Sequence, residues 1–209
     1  MILMGRLVER LILNNYLLNI EFIMTKNIYI AGLGAYVPKR KLTNQDLEKM
    51  VDTTDEWIVT RTGIKERRIA AANEKTSDLA TQAAHAAMTD AKLEVEELDL
   101  IIVATISPDS NFPSVACLVQ KNIGAVNAVA FDVSAACSGY LFALTTAKKY
   151  LESGLYKNAL VIAAEKITSL VDWNDRGTCV LFGDGSGASV LKTTTEDKGI
   201  LSEYLHAQG

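Results

Sequence analysis

The run LDLIIVAT at residues 98–105 constrains this chain more than any other stretch. Apolar residues stand at successive positions rather than every second one, so an extended segment here must be covered on both faces. Ser107–Pro108 ends it. Residues 128–133 and 159–164 show the same continuous character, and 28–33 and 187–191 are shorter apolar runs beside glycines. Helical patterns fall between these strands. Thr43 reads as an N-cap, with Asp46 at the capping-box position and Leu47, Met50 and Val51 on one face. Asp55 is suited to cap a second short helix through Trp57 and Val59. Residues 65–70 read as an irregular strand. A long alanine-rich helix is expected over 77–91, another over 114–122 after Phe112–Pro113, and another over 138–153, ended by Gly154. Strands alternating with helices, several of them apolar throughout, predict an α/β fold: a layered sheet between helices.

The ends of the chain differ from its middle. Residues 1–24 are apolar but interrupted by Arg6, Glu9, Arg10 and Glu21, and the longest uncharged run, 11–20, is too short for a membrane span. No small-residue cleavage site follows, so this segment is expected to lie outside the fold as an extension, with an interfacial helix as the alternative. The main domain is expected over 25–192. Residues 193–199 are polar and read as a linker, and 200–205 as the start of a new strand, so 193–209 is expected to open a second unit. The net charge of −4 offers no basic surplus for a nucleic-acid backbone. Three cysteines without CxxC spacing, in a chain of 209 residues, argue against a disulfide framework or a zinc site and suit a reducing cytoplasm.

The stretch FDVSAACSGY at residues 131–140 carries the chemistry. A buried strand ends, small residues turn the chain, and Cys137 stands where a helix begins. A helix N-terminus carries partial positive charge and unpaired N–H groups, and both favour thiolate over thiol. Ala135, Ala136, Ser138 and Gly139 leave room for a substrate carbonyl, and the Cys137 N–H can face a developing oxyanion. The alternative is a small buried cysteine at a helix start. Cys117, inside a helix, and Cys179, in a strand-like run with 180–182, read as structural. Asp184, between Gly183 and Gly185, reads as turn chemistry rather than catalysis. Gly32–Leu33–Gly34 lacks the last glycine of a dinucleotide fingerprint, and 183–187 lacks the ending of a P-loop.

The stretch DVSAACSGY resembles the nucleophile motif of β-ketoacyl–acyl-carrier-protein synthase III, the initiating condensing enzyme of bacterial fatty-acid synthesis. Four further segments support the resemblance in order: VDTTDEWIVTRTGIKERRIA from Val51, LDLIIVATISPDSNFPS from Leu98, WNDRGTCVLFGDGSGASV from Trp173, and the terminal LHAQG. The resemblance implies a thiolase-like fold, of which this chain holds the first half of a duplicated αβαβα architecture with the second half missing. It implies a homodimer, with acyl-carrier protein and acyl-CoA as partners. Cys137 would accept an acetyl or other short acyl group from coenzyme A, a substrate and not a bound cofactor, for condensation with malonyl–acyl-carrier protein. Trp57 and Arg176 match the pair that sandwiches the adenine, and Thr53 and Arg61 match residues at the nucleotide end. Phe112 matches the residue that closes the partner's acyl pocket across the dimer. No metal is implied.

The family's catalytic histidine and asparagine lie in the second half, and neither His85 nor His206 falls in that motif, so condensation is not expected from these residues alone. The alternatives are a non-catalytic remnant that dimerises or binds coenzyme A, a hydroxymethylglutaryl-coenzyme A or polyketide-type synthase of the same fold, and a cysteine hydrolase, for which no histidine is suitably spaced. One half without the other is expected to expose a large apolar face, giving poor solubility or dependence on a partner. Gel filtration of the isolated chain is expected to show association or loss of material, and a stable monodisperse monomer would contradict this.

Overall fold

The computed structural model describes residues 27–208; the expected extension at 1–24 lies outside them. The elements in chain order are β1 (Asn27–Tyr36), β2 (Arg40–Thr43), α1 (Asn44–Leu47), α2 (Asp55–Thr62), β3 (Glu66–Ile69), α3 (Thr76–Ala91), β4 (Leu100–Ala104), α4 (Val115–Ile123), β5 (Val129–Val133), α5 (Gly139–Glu152), β6 (Asn158–Glu165), α6 (Arg176–Cys179) and β7 (Gly185–Thr194). Short 3-10 turns cover Val95–Glu97, Ala136–Ser138 and Ile167–Ser169. One five-stranded sheet has the order β1-β7-β6-β4-β5, and β2 pairs with β3 in a small second sheet. β4 runs parallel to both β5 and β6, while β7 is antiparallel to β6 and β1.

Every residue of β4 is buried, as its sequence demands. Ile101 and Val103 face a layer made by α3 and α4, together with Ala80, Ala83, Ala84, Ala87, Val115, Ala116 and Val119. Leu100, Ile102 and Ala104 face the other way, toward Ala143, Ala147 and Leu151 of α5. The sheet is therefore the middle of three layers, and each fully buried Leu or Ile contributes about 1.5–3 kcal/mol. The alanine face of α3 lets it approach β1 closely. A Cβ on Gly32 would come within 2.3 Å of the Ala91 nitrogen, and one on Gly34 within 2.3 Å of both the Ala83 oxygen and the Ala87 nitrogen. The two glycines stand inside a strand and serve helix packing, consistent with rejecting a dinucleotide motif there.

The structure moves several expected boundaries. α1 is a single turn, with the Thr43–Asp46 capping box formed, and Met50 is exposed rather than on its apolar face. Thr54, not Asp55, caps α2, its hydroxyl accepting from the Trp57 N–H at 3.1 Å. Asp55 instead accepts from the Asn44 side chain at 2.7 Å. β7 extends to Thr194, which pairs with Asn27, so residues 193 and 194 belong to the sheet and not to a linker. Residues 200–205 form no strand. Ile200 donates to the Ile28 carbonyl at 2.8 Å, and Glu203 reaches Thr145, Lys148 and Lys149 on α5, so this segment is tied back onto the domain. Cys179 ends the one-turn α6 rather than joining a strand.

Gly34→Ala places a methyl group against helix backbone that cannot rotate away. Chemical denaturation is expected to show a loss of at least about 2 kcal/mol, whereas Gly187→Ala, with open space at its Cβ, changes stability far less.

Candidate active site

β4, β5 and β6 run parallel; β4 and β5 end together at Ala104 and Val133, beside Ala163 of β6, which continues to Glu165 along β7. In a parallel α/β sheet the crevice beyond the carboxyl ends of the strands is where ligands sit. Here that crevice is a cavity of about 310 Å³ lined by Ala104, Ile106, Ala136, Cys137, Tyr140, Ala163, Glu165, Ile167, Phe182 and Gly183. Cys137 lies in the 3-10 turn between β5 and α5 with an exposed side chain. Gly139 begins α5, so the thiol stands one turn ahead of a 14-residue helix. That places it at the partially positive end, as the sequence predicts. The turn is sharp. Ala136 has φ of 46°, a left-handed conformation that costs a non-glycine residue about 1–2 kcal/mol. The strain turns the chain between strand and helix and leaves the thiol on the cavity side.

Glu165 is the charged side chain in the cavity wall, and its polar atoms, like those of nearby Lys166 and Asp184, are engaged. Glu165 accepts from the Ile106 and Ser107 N–H groups at 2.9 and 3.0 Å, from the Thr105 hydroxyl at 3.1 Å, and from the Ser107 hydroxyl. Lys166 donates from its ammonium to the Ala71 and Glu74 carbonyls. Asp184 is buried and accepts from the Ala70 N–H (2.7 Å), the Thr168 N–H (2.9 Å) and the Thr168 hydroxyl (2.7 Å). This corrects the tight-turn reading of Gly183–Asp184–Gly185: neither glycine has positive φ, and Asp184 is a buried tie. Gly183 is needed for close approach, since a Cβ there would lie 3.1 Å from the Arg68 oxygen. The Tyr140 hydroxyl pairs with the buried Ser189 hydroxyl at 2.9 Å. Sequence reading missed Ile106, Tyr140, Glu165, Ile167 and Phe182 as cavity walls. For Ile106, Glu165 and Ile167 the available signal was their position at the carboxyl ends of β4 and β6; Tyr140 on α5 and Phe182 before β7 carried no such signal.

A second constellation forms on the small unit of β2, β3, α1 and α2. Leu42, Leu47, Ile58 and Ile69 share a core with Cys179 and Val180, which draws α6 against α2. Buried Arg67 locks the junction by donating to the Val180 carbonyl and the Asn44 side chain. Burial pushes the Cys179 thiol up, with Asp175 adding to the effect, in keeping with a structural cysteine. Trp57, Arg61 and Arg176 consequently meet: the Arg61 guanidinium lies 4.5 Å and that of Arg176 4.9 Å from the Trp57 ring centroid. Arg176 also donates to the Asp52 carbonyl at 3.0 Å. Neighbouring Thr53 has a buried hydroxyl oxygen without a hydrogen-bond partner, which is uncommon in a native fold.

Phe112 is not brought to the Cys137 cavity of its own chain. It is 88% exposed on the loop before α4. That loop is anchored at its base. Asp109 accepts from the Ser77 N–H and hydroxyl, and Asp132 of β5 accepts from the first N–H groups of α4. His85 and His206 are exposed and absent from the cavity lining. Among the described residues no cluster of three His, Cys, Asp or Glu side chains is placed to hold a metal ion, and no helix is long and apolar enough to cross a membrane.

This sheet, with a cysteine at the strand-to-helix corner beyond its parallel strands, defines a thiolase-like condensing-enzyme fold. The family model for 3-oxoacyl-[acyl-carrier-protein] synthase III matches residues 131–209. The β-ketoacyl-[acyl-carrier-protein] synthase III of Caldanaerobacter subterraneus subsp. tengcongensis is 58% identical over 180 residues, covering 86% of this chain and 54% of that protein. The Xylella fastidiosa 9a5c protein of the same name is 57% identical over 188 residues, covering 89% and 58%. The crystal structure of the Aquifex aeolicus 3-oxoacyl-[acyl-carrier-protein] synthase III superposes with a TM-score of 0.79 at 57% identity, covering 81% of this chain and 55% of that one. The priming β-ketosynthase of the R1128 polyketide pathway also superposes at 0.79, with 37% identity over 81% and 51% of the two chains. The chain belongs to the β-ketoacyl-acyl-carrier-protein synthase III family, and it spans slightly more than half the length of the relatives it matches.

Asp184→Asn leaves one acceptor oxygen where a carboxylate served three donors and turns an N–H toward another donor. Urea unfolding is expected to show a loss of about 2–3 kcal/mol.

Proposed function

We propose that Cys137 is the acyl-accepting nucleophile of a condensing enzyme that begins fatty-acid synthesis, taking a short acyl group from coenzyme A for transfer to malonyl–acyl-carrier protein. The observation that carries this reading is the exposed thiol, set on a strained turn at a helix start and opening into a cavity. In the first half-reaction the Cys137 thiolate attacks the thioester carbonyl. A new carbon–sulfur bond forms, the old one breaks, and coenzyme A leaves as a thiolate that takes up a proton. A cavity of about 310 Å³ with Ile106, Ile167 and Phe182 in its wall suits a short acyl chain. The second half-reaction forms a carbon–carbon bond with loss of carbon dioxide. By family resemblance it needs a histidine and an asparagine from the other half of the fold, so the described residues support acylation alone.

Trp57, Arg61 and Arg176 form the binding site for the nucleotide end. An indole and planar guanidinium groups both stack on a purine, and the cations also suit phosphate. Thr53 lies on the same segment, and its unpaired hydroxyl, shielded from solvent, would reach that ligand only after its side chain turns outward.

A homodimer is proposed through the free edge of β5. Among the described residues that strand is hydrogen-bonded only to β4; its Val129 is 42% exposed, and Phe131 and Val133 are half-buried. An apolar edge of this kind invites strand pairing with a second copy. Asp132 of the same strand holds the start of α4, just beyond Phe112, so the edge and the exposed ring belong to one corner. A role for Phe112 in the partner's acyl pocket fits that corner. A reducing cytoplasm is the proposed location, from cysteine usage.

Incubation with acetyl-coenzyme A is expected to give one acetyl adduct per chain by intact mass, lost in Cys137→Ser. Absence of the adduct from wild-type chain would sink the nucleophile assignment. Trp57→Ala is expected to slow labelling by acetyl-coenzyme A by about tenfold or more, because base stacking is worth about 1–3 kcal/mol. It should leave labelling by a nucleotide-free acetyl thioester unchanged.

A further inference from the structure

We infer that Glu165 is a positioning residue for the Cys137 site: its carboxylate fixes residues 105–107 as the wall that seats an acyl group against the thiol. The inference rests on the reading of Cys137 as nucleophile. Glu165 and Cys137 line the same cavity from the ends of different strands. Glu165 ends β6, whereas residues 105–107 follow the neighbouring strand β4. Beyond Ala104 and Ala163 the pairing of those two strands has run out, so the sheet itself no longer sets where Ile106 lies.

Glu165 supplies that constraint. Both of its oxygens are used: one accepts the Ile106 N–H at 2.9 Å, the other the Ser107 N–H, the Ser107 hydroxyl and the Thr105 hydroxyl. The Ser107 hydroxyl in turn accepts the Lys166 N–H at 2.9 Å, which closes a ladder between the two strand ends. Thr76 of α3 donates to the Ser107 carbonyl, which fixes the far side. Ile106, held at the centre of this ladder, contributes cavity wall and remains 41% exposed. Four donors from residues 105–107 compete with any substrate proton for the lone pairs of this carboxylate. Glu165 therefore acts on geometry and is not a general base.

Charge-assisted acceptors are the strong ones, and a neutral amide cannot replace this one. Glu165→Gln keeps the size of the side chain but offers one acceptor oxygen and points N–H donors at a turn that itself presents donors. The turn loosens, and with it the surface against which a bound acyl group is held. Displacements of about 1 Å near a reacting atom can cost about a hundredfold in rate. An exposed sulfur reacting with a small alkylating agent needs no such wall.

The test compares two reagents on the full chain. Cys137 modification by iodoacetamide and by a nucleotide-free acetyl thioester is followed by mass for wild type, Glu165→Gln, Glu165→Asp and the Cys137→Ser control. Thermal unfolding is recorded for each. The expected result is a fall of about tenfold in the ratio of thioester to iodoacetamide rate for Glu165→Gln, with partial recovery in Glu165→Asp, which keeps the carboxylate. An unchanged ratio with a lowered unfolding temperature makes Glu165 structural only and overturns the inference. A parallel fall in both rates, with a displaced pH profile, makes it a proton-transfer group and also overturns it. If Glu165→Gln does not fold, Ser107→Ala removes one rung of the ladder, and the same ratio must fall for the inference to stand. Wild-type chain that alkylates at Cys137 but takes no acetyl group indicts the nucleophile assignment instead.

Discussion

Complete burial of β4 is the constraint on which the rest of this fold depends. A strand apolar at every position needs a layer on each side, and α3 with α4 on one face and α5 on the other supply them. Once both faces are closed, chemistry can enter only at a strand end. β5 ends level with β4, and the pairing of β4 with β6 stops at the same point, so three chain segments diverge at one place. One carries Cys137, one carries Ile106, and one carries Glu165. The cavity is a consequence of parallel pairing and of layers that stop where the strands stop.

Much of this was legible in the residues. The continuous apolar runs gave the strands and their burial, because only a doubly covered strand tolerates Leu-Ile-Ile-Val without a polar alternation. The corner at 134–139 was legible because small residues between an apolar strand and a helix leave a cysteine few other places to be. Boundaries were less so. Asp55 and Thr54 are both good caps, and the choice fell to Thr54 because Asp55 was engaged by Asn44, a tertiary contact that adjacent residues do not reveal. Thr193 and Thr194 look like linker, yet they pair with β1, whose position no local pattern announces. Asp184 shows the same limit. Flanking glycines suggest a turn, but its donors come from Ala70 and from Thr168, the first of them remote in sequence.

The polar groups divide into two populations. Glu165, Asp184, Asp132 and Arg67 have their hydrogen-bonding atoms engaged by backbone or by neutral side chains, and each joins elements that the sheet alone does not hold together. Such groups are costly to bury and costlier to leave unmatched, so their saturation marks them as architecture. The Thr53 hydroxyl, the Cys137 thiol and the Phe112 ring do not fit that population. The first is buried without a partner, the second opens to a cavity, and the third stands almost fully in solvent. A fold that satisfies its carboxylates so completely has spent nothing on these three, and all three fall within segments that resemble the synthase family.

The stack on Trp57 carries the same reasoning one step further. Two guanidinium groups already lie within 5 Å of its ring centroid, and Arg176 is additionally held by the Asp52 carbonyl. Each contact is worth about 0.5–1 kcal/mol at an exposed site. On the proposed reading, a purine entering beside the indole must displace at least one of them. It exchanges a cation–π contact for a stack of greater area while the displaced guanidinium covers the other face of the base. The free protein thereby keeps the ring partly covered and the arginines ordered. The cost of opening is small beside the gain from the new stack, so the site can be closed when empty and still bind. That balance depends on Arg176 standing on α6, whose position the buried Arg67–Val180 contact sets. The Trp57 stack is therefore tied to the same core that packs Cys179, and the sulfur buried there bears on the proposed nucleotide site only through the helix it anchors.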